Sequence, residues 1–312
     1  MPSDNSWGAR QWAQNGSVRI AFDQFMPERD GDPLLVATGL GVNRWSMPDG
    51  FFRELAKQGF AVVRYDQRDG GESTHFPPTS TRNPITALLG KRGEAYTAEN
   101  MADDAAAVLD ALGWGSAHVL GVSLGGAVAQ RVALRHPQRV RSLTTVAAVP
   151  GDVTGLRTLR FIRVRTLGKF AKLKFPDTRE GAIEAGLAVA ELLSSPRAAF
   201  DEKSVRARLE DNPDSGVHDQ ESQSRQIGAQ WSGPTIDKIA CPALIVHGED
   251  DPLIDPKAAR TIASKIPAAR TLLLPAVGHD LPEHAWLRSL PRSANSPTRP
   301  RGIFLRSHSA VG

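Results

Sequence analysis

Ser123 stands between Gly121 and Gly125 in the run Gly-Val-Ser-Leu-Gly, where an apolar, β-prone segment gives way to a helix-like one. An acid and a histidine follow, each just past another apolar run: Asp250 and Asp251 in "IVHGEDDP", and His279 in "LLLPAVGHD". A glycine-flanked serine alone reads as an ordinary tight turn. A serine, an acid and a histidine in that order, all at strand ends, have the types needed for a nucleophile, an orienting carboxylate and a proton shuttle.

The chemistry requires all three. A serine hydroxyl is a poor nucleophile near neutral pH. An imidazole within hydrogen-bond reach takes its proton during attack on a carbonyl and returns it to the leaving group. A carboxylate on the far ring nitrogen fixes the tautomer and stabilises the imidazolium. Asp251, directly before Pro252, is the chosen acid; Asp250 is the alternative, and capping the following turn is the competing role for either. Of the other histidines, His247 reads as packed or capping within a strand, and His284 lies further into the terminal segment. The oxyanion of a tetrahedral intermediate needs backbone N–H donors, each worth about 2.7–4 kcal/mol. Leu124, at the helix start, offers one; Leu40 in "TGLGVNRW" is the candidate for the second.

This set implies cleavage of a carboxylic ester, from a small molecule or a lipid, through an acyl-enzyme. Lactonase, thioesterase, C–C hydrolase and perhydrolase chemistry would use the same residues. The set implies no metal and no cofactor. From a different class, the alternative is a ligand-binding scaffold without turnover, or an impaired hydrolase.

The elements that must position these residues alternate along the chain. Strands are expected at 17–25, 33–39, 60–68, 117–122, 142–149, 242–249 and 269–275, and helices at 47–59, 97–113, 126–136 and 257–266. The short, continuously apolar strands suit a parallel sheet buried on both faces. The rhythm breaks over 151–234, where helical pieces appear without a strand. This divides the chain into a first core part (1–150), a helical cap (151–234), a second core part (235–284) and an irregular basic tail (285–312).

Composition bounds the partners. The chain has 312 residues, 40% hydrophobic and 23% charged, which suits a globular α/β protein. The net charge is +4, but residues 285–312 hold five arginines and no acid, so residues 1–284 stand at −1. A nucleic-acid partner is therefore not expected. No run is long enough to span a bilayer. The start lacks a basic region followed by an apolar one, and the single cysteine, Cys241, reads as an inert core residue, so a cytoplasmic location is expected. Residues 157–174 carry seven cations among apolar residues. They read as a solvated cap face, with contact to an anionic membrane surface as the functional alternative. Nothing in the sequence reports an oligomeric state.

On Gly121–Gly125, "HGEDDP" at 247–252, "GH" at 278–279 and "YDQRDGGEST" at 65–74, the chain resembles the α/β-hydrolase fold superfamily. With "GLGVNRW" it is similar to a capped subgroup of lipases and esterases that includes the anthracycline methyl esterases. The resemblance spans about 17–284. It implies a mostly parallel central sheet with helices on both faces, a helical cap insertion over the pocket, and Ser123, Asp251 and His279 as the catalytic set. The segment after residue 65 resembles the D-x-R-G-x-G-x-S turn, with Asp66, Arg68 and Ser73 bracing it and Asp69 in place of the first glycine. Thr38-Gly39 stands where His-Gly is usual, which leaves a backbone N–H unaffected. The closing segment, rich in Arg, Pro and Ser, lacks the amphipathic helix with which such proteins usually finish.

Overall fold

Period-2 and continuously apolar runs become the eight strands of one sheet. A computed structural model describes residues 6–26, 30–77, 95–212 and 220–289. The strands are β1 (Gln11–Asn15), β2 (Val18–Phe25), β3 (Asp32–Ala37), β4 (Phe60–Tyr65), β5 (Ala117–Val122), β6 (Val140–Val146), β7 (Ala243–Gly248) and β8 (Ala269–Leu274). Their order is β1-β2-β4-β3-β5-β6-β7-β8. From β4 to β8 neighbours run parallel, while β2 is antiparallel to both β1 and β4. The β1–β2 hairpin escaped the sequence reading, although Asn15-Gly16 is a strong two-residue hairpin signal; Gly16 takes φ +61°.

Nine α-helices occur among the described residues: α1 (Asp49–Lys57), α2 (Ala98–Ala111), α3 (Leu124–Arg135), α4 (Val164–Phe170), α5 (Arg179–Leu193), α6 (Glu202–Asp211), α7 (Gln220–Gly228), α8 (Lys257–Lys265) and α9 (Glu283–Ser289). Helix α1 buries Phe51, Phe52, Leu55 and Ala56, the i, i+1, i+4, i+5 stripe of a helix lying on a sheet. Thr97 caps α2 in a reciprocal box with Asn100. Helix α3 buries every residue from Gly125 to Leu134. Its small side chains let it sit deep against β5 and β6.

Two apolar layers flank the sheet. One joins Leu35, Val63, Val119 and Ile245 to α2, α3 and α8; the other joins Leu34, Val36, Val62 and Leu120 to α1. Burying a side chain of this size contributes about 1.5–3 kcal/mol relative to exposure. Parallel register aligns the carboxyl ends: Ala37 pairs with Gly121, Val122 with Val146, and Val146 with Val246. The loops that follow these ends converge on one edge of the sheet.

The region 151–234 holds α4 to α7 and a 3-10 turn at Gly155–Arg160. It touches the core through an isolated bridge between Ile162 and Ile254. One expectation is sharpened and one is corrected. Cys241 is half-buried at the margin of the core, and burial raises its thiol pKa. The irregular tail does not begin at 285, because α9 runs to Ser289. Trp286 supplies the reason: its ring packs edge-on to Phe51 at 6.0 Å, its indole N–H donates to the Leu281 carbonyl, and Ala285 is buried beside it. A single large apolar side chain anchors a helix too short to show a period. Residues 290–312 of the expected tail lie outside the described residues. We expect Trp286→Ala to lower unfolding free energy by about 3 kcal/mol, seen as a lower urea midpoint at unchanged slope.

Candidate active site

Ser123 occupies the turn between β5 and α3 with φ 56° and ψ −119°, a region that side-chain-bearing residues rarely enter. The turn exists because its neighbours have no side chains. A Cβ on Gly121 would lie 2.1 Å from the Gly125 carbonyl oxygen, and one on Gly125 would lie 2.2 Å from that of Ala37. The Ser123 amide is held by the Val146 carbonyl at 2.8 Å, which leaves the side chain projecting from the turn.

His279 and Asp251 meet this serine. The Ser123 hydroxyl donates to His279 Nε2 at 3.0 Å, and His279 Nδ1–H donates to Asp251 Oδ2 at 2.8 Å. Asp251 is fully buried and His279 is 8% exposed. The second oxygen of Asp251 accepts the amides of Leu253 and Ile254, both at 2.8 Å. The same residue therefore caps its turn and orients the imidazole, two roles the sequence had set in competition. Asp250 points elsewhere. Its carboxylate takes both ends of the Arg197 guanidinium at 2.6 and 2.7 Å and the Ser195 hydroxyl at 2.5 Å. It ties the segment after α5 to the acid loop. The His279 amide is itself held by the Leu193 carbonyl at 2.8 Å.

His247 adds a contact that reading it as a packed residue left out. Fully buried, it donates from Nε2 to the Ile254 carbonyl at 3.0 Å, with Asp251 Oδ2 at 3.1 Å from the same nitrogen. With two acceptors facing Nε2, the proton belongs there. His284, the other alternative, is exposed on α9.

Electrostatics follow from this packing. Burial alone would raise the Asp251 pKa, but the charge of His279 and hydrogen bonds from both histidines hold it well below the ordinary carboxylate range. Burial disfavours the His279 imidazolium, yet the charge and hydrogen bond of Asp251 outweigh it and raise that pKa. Arg197 keeps Asp250 low.

The oxyanion candidates flank the serine. Gly39 packs close enough that a Cβ there would lie 3.7 Å from Ser123 Cβ. Among the described residues, neither the Leu40 nor the Leu124 amide has a protein acceptor. The loop carrying Leu40 is fastened on both sides: Gln67 donates to the Thr38 carbonyl at 2.6 Å, and the Gly41 amide donates to Gln226 Oε1 at 3.0 Å. Further along, Asp66 accepts the Arg44 amide at 2.6 Å and the Glu72 amide at 2.9 Å, while the Ser73 hydroxyl donates to the Asp66 carbonyl. Arg68 grips Asp104 with two bonds of 2.6 Å.

A strained serine at a strand-to-helix turn, on the carboxyl edge of a mostly parallel sheet, defines a hydrolase class. The alpha/beta hydrolase fold profile matches residues 32–284, and the chain belongs to that family. It is 32% identical over 272 residues to the rhodomycin D methylesterase DauP of Streptomyces sp. (strain C5), covering 80% of this chain and 85% of the relative. It is 30% identical, with the same coverage, to rhodomycin D methylesterase DnrP of Streptomyces peucetius. Among solved structures, the esterase RhEst1 from Rhodococcus sp. ECU1013 superposes with TM-score 0.65 at 19% identity, covering 87% of this chain and 92% of that one. The enol-lactonase from Burkholderia xenovorans LB400 superposes with TM-score 0.61 at 22% identity, over 89% and 96%. The chain is an esterase-type hydrolase.

An imidazolium has no free lone pair, so His279 in the role of base would have to be neutral. Because its pKa is raised, kcat/KM should fall on the acid side at a pH above the ordinary imidazole value. Asp251→Asn should move that limb downward and cut kcat about 10⁴-fold. Asp250→Ala should leave the limb in place and cost about tenfold or less, through looser positioning. A pH series on the three proteins reads all of this.

Proposed function

We propose that the chain hydrolyses the methyl ester of a small-molecule carboxylic acid, of the anthracycline type, by a serine-nucleophile acyl-enzyme mechanism. The observation that carries this reading is the unbroken relay from the Ser123 hydroxyl through His279 to Asp251. Ser123 Oγ attacks the ester carbonyl as His279 Nε2 takes its proton, and the carbonyl electrons move onto oxygen between the Leu40 and Leu124 amides. The tetrahedral intermediate collapses, the acyl C–O bond breaks, and the His279 imidazolium gives its proton to the departing methoxide oxygen, releasing methanol. Water then repeats the sequence on the acyl-enzyme, releasing the acid and restoring Ser123. Asp251 stays ionised throughout and holds the ring. Residues 151–234 act as the cap that shapes the pocket.

The methyl ester is supported by two relatives matching over 272 residues at 32% and 30% identity, both rhodomycin D methylesterases. Other hydrolase reactions are represented too, one of them at 30% identity over 73% of this chain, in the 2-hydroxymuconate semialdehyde hydrolase of Pseudomonas putida. Another such relative is the 2-hydroxy-6-oxononadienedioate/2-hydroxy-6-oxononatrienedioate hydrolase of Burkholderia vietnamiensis (strain G4 / LMG 22486), 24% identical over 84% of this chain and 85% of the relative. A panel of methyl, longer alkyl and p-nitrophenyl esters, lactones and C–C substrates ranks these activities. Methyl esters of polycyclic acids should lead, and Ser123→Ala should abolish fluorophosphonate labelling and lower kcat by on the order of 10⁶. Labelling without turnover on any substrate would favour a binding scaffold.

The basic cap face supports a second, surface-binding reading. Leu156 and Val164 are 57% and 65% exposed, among exposed Arg157, Arg160, Arg163 and Arg165. Together they suit an anionic lipid surface, where cations meet headgroups and apolar tips enter the interface. Vesicles containing phosphatidylserine should retain the protein at low salt and release it as salt rises. Equal retention on neutral vesicles would rule the contact out.

A further inference from the structure

The resemblance pattern places a glycine at position 69, and this chain has Asp69 there, in left-handed backbone with φ +66°. The substitution has a partner far away in sequence. Asp69 is 1% exposed, and its carboxylate accepts Arg225 Nε at 2.7 Å and Nη2 at 3.0 Å as well as the Phe76 amide at 2.8 Å. Arg225 lies on α7, the last helix of the cap region. Helix α7 is buried yet polar: Ser222, Gln223, Ser224, Arg225 and Gln226 are all shielded from solvent. Apolar burial does not hold such a helix in place; its hydrogen bonds and this ion pair must.

The residue next to Arg225 reaches the oxyanion loop. Gln226, 2% exposed, accepts the Gly41 amide on Oε1 at 3.0 Å and donates from Nε2 to the Arg68 carbonyl at 2.9 Å. Gln223 closes the remaining space, since a Cβ on Gly41 would lie 2.5 Å from its Cγ. Gly41 sits at φ +66°. Gly39 and Gly41 flank Leu40, so three successive peptide planes meet at the softest point of the loop. The first is fastened at the Thr38 carbonyl by Gln67, and the third at the Gly41 amide by Gln226. The middle plane carries the free Leu40 N–H and can turn only as far as its two fastened neighbours allow.

We infer that Gln226 is a positioning residue for the oxyanion loop, locked in place by the Arg225–Asp69 ion pair, so that the cap region sets the aim of the Leu40 amide. This rests on the reaction proposed above. A donor held in advance costs no reorganisation when charge develops, whereas a swinging one does. The effect therefore belongs to the transition state and appears in kcat rather than KM.

The test replaces Gln226 with Met, which keeps the volume and removes both hydrogen bonds, and with Glu, which keeps an oxygen for Gly41. Folded protein is verified by near-UV circular dichroism, and active sites are counted by fluorophosphonate at full labelling. Gln226→Met should lower kcat 10- to 100-fold with KM within about twofold, in the range of a weakened oxyanion donor. Gln226→Glu should recover most of that loss. Arg225→Lys, which keeps the charge but gives up the two-point grip, should fall between them. Full kcat in folded Gln226→Met, or a loss confined to KM or melting temperature, overturns the inference. Should that variant not fold, unchanged kcat in Arg225→Lys overturns it instead. Hydrogen exchange gives an activity-independent reading: the Gly41 amide should exchange at least tenfold faster in Gln226→Met, or in Arg225→Lys if the Met variant does not fold, and an unchanged rate also overturns the inference. Absence of labelling in the unaltered protein would count against the serine mechanism alone and leave the exchange result to judge the latch.

Discussion

The reversal of chain direction at Ser123 is the constraint on which the rest of the structure depends. The first turn of α3 passes so close to the end of β5 that no side chain fits at Gly121, and so close to the end of β3 that none fits at Gly125. The residue between them is forced to φ 56°. That conformation costs on the order of 1–3 kcal/mol and persists only because its surroundings leave no alternative. The cost is offset by the deep seating of α3, whose buried face continues for ten residues. The strained turn thus presents a hydroxyl at the sheet edge and a free amide, that of Leu124, at the start of a helix.

At this turn, the buried carboxylate of Asp251 is fully engaged. Asp251 has four donors on two oxygens, two from the turn it caps and one from each of two imidazoles. A carboxylate so satisfied stays ionised in a dry setting, as an orienting acid must. The same holds for the cluster behind the Leu40 loop, where Arg44 lies between Asp23 and Asp66, and Arg64 reaches Asp23. Buried pairs of this kind add little net stability, but removing one partner strands the other. They fix the loops on the β2–β4 side with little tolerance for displacement.

Residues 151–234 are bonded to both halves of the candidate site. On one side, Leu193 holds the His279 amide while Arg197 and Ser195 hold Asp250. On the other, α7 reaches the loop carrying Leu40 and the turn at Asp69. This region is therefore joined to the loops that carry Leu40, Asp250 and His279, and its placement and theirs form one packing problem.

Most of the sheet and the three residues that meet at the candidate site were legible in the sequence, because each signal is local. Apolar runs flanked by turns mark buried strands, glycines two residues either side of a serine mark a crowded elbow, and chain order orders the acid and histidine behind it. The hairpin at Asn15-Gly16 was equally local and was overlooked. Helix α9 was not legible, since one tryptophan on Phe51 stabilises a segment whose own pattern carries no period. Tertiary structure alone decided between Asp250 and Asp251 as partner of His279, because adjacent side chains on a turn point apart and only the position of the imidazole distinguishes them. It alone paired Asp69 with Arg225, 156 positions away. Sequence determines which groups are available and which backbone they sit on; three-dimensional packing determines which of them touch, because hydrogen bonds and ion pairs act over a few ångströms of space and take no account of distance along the chain.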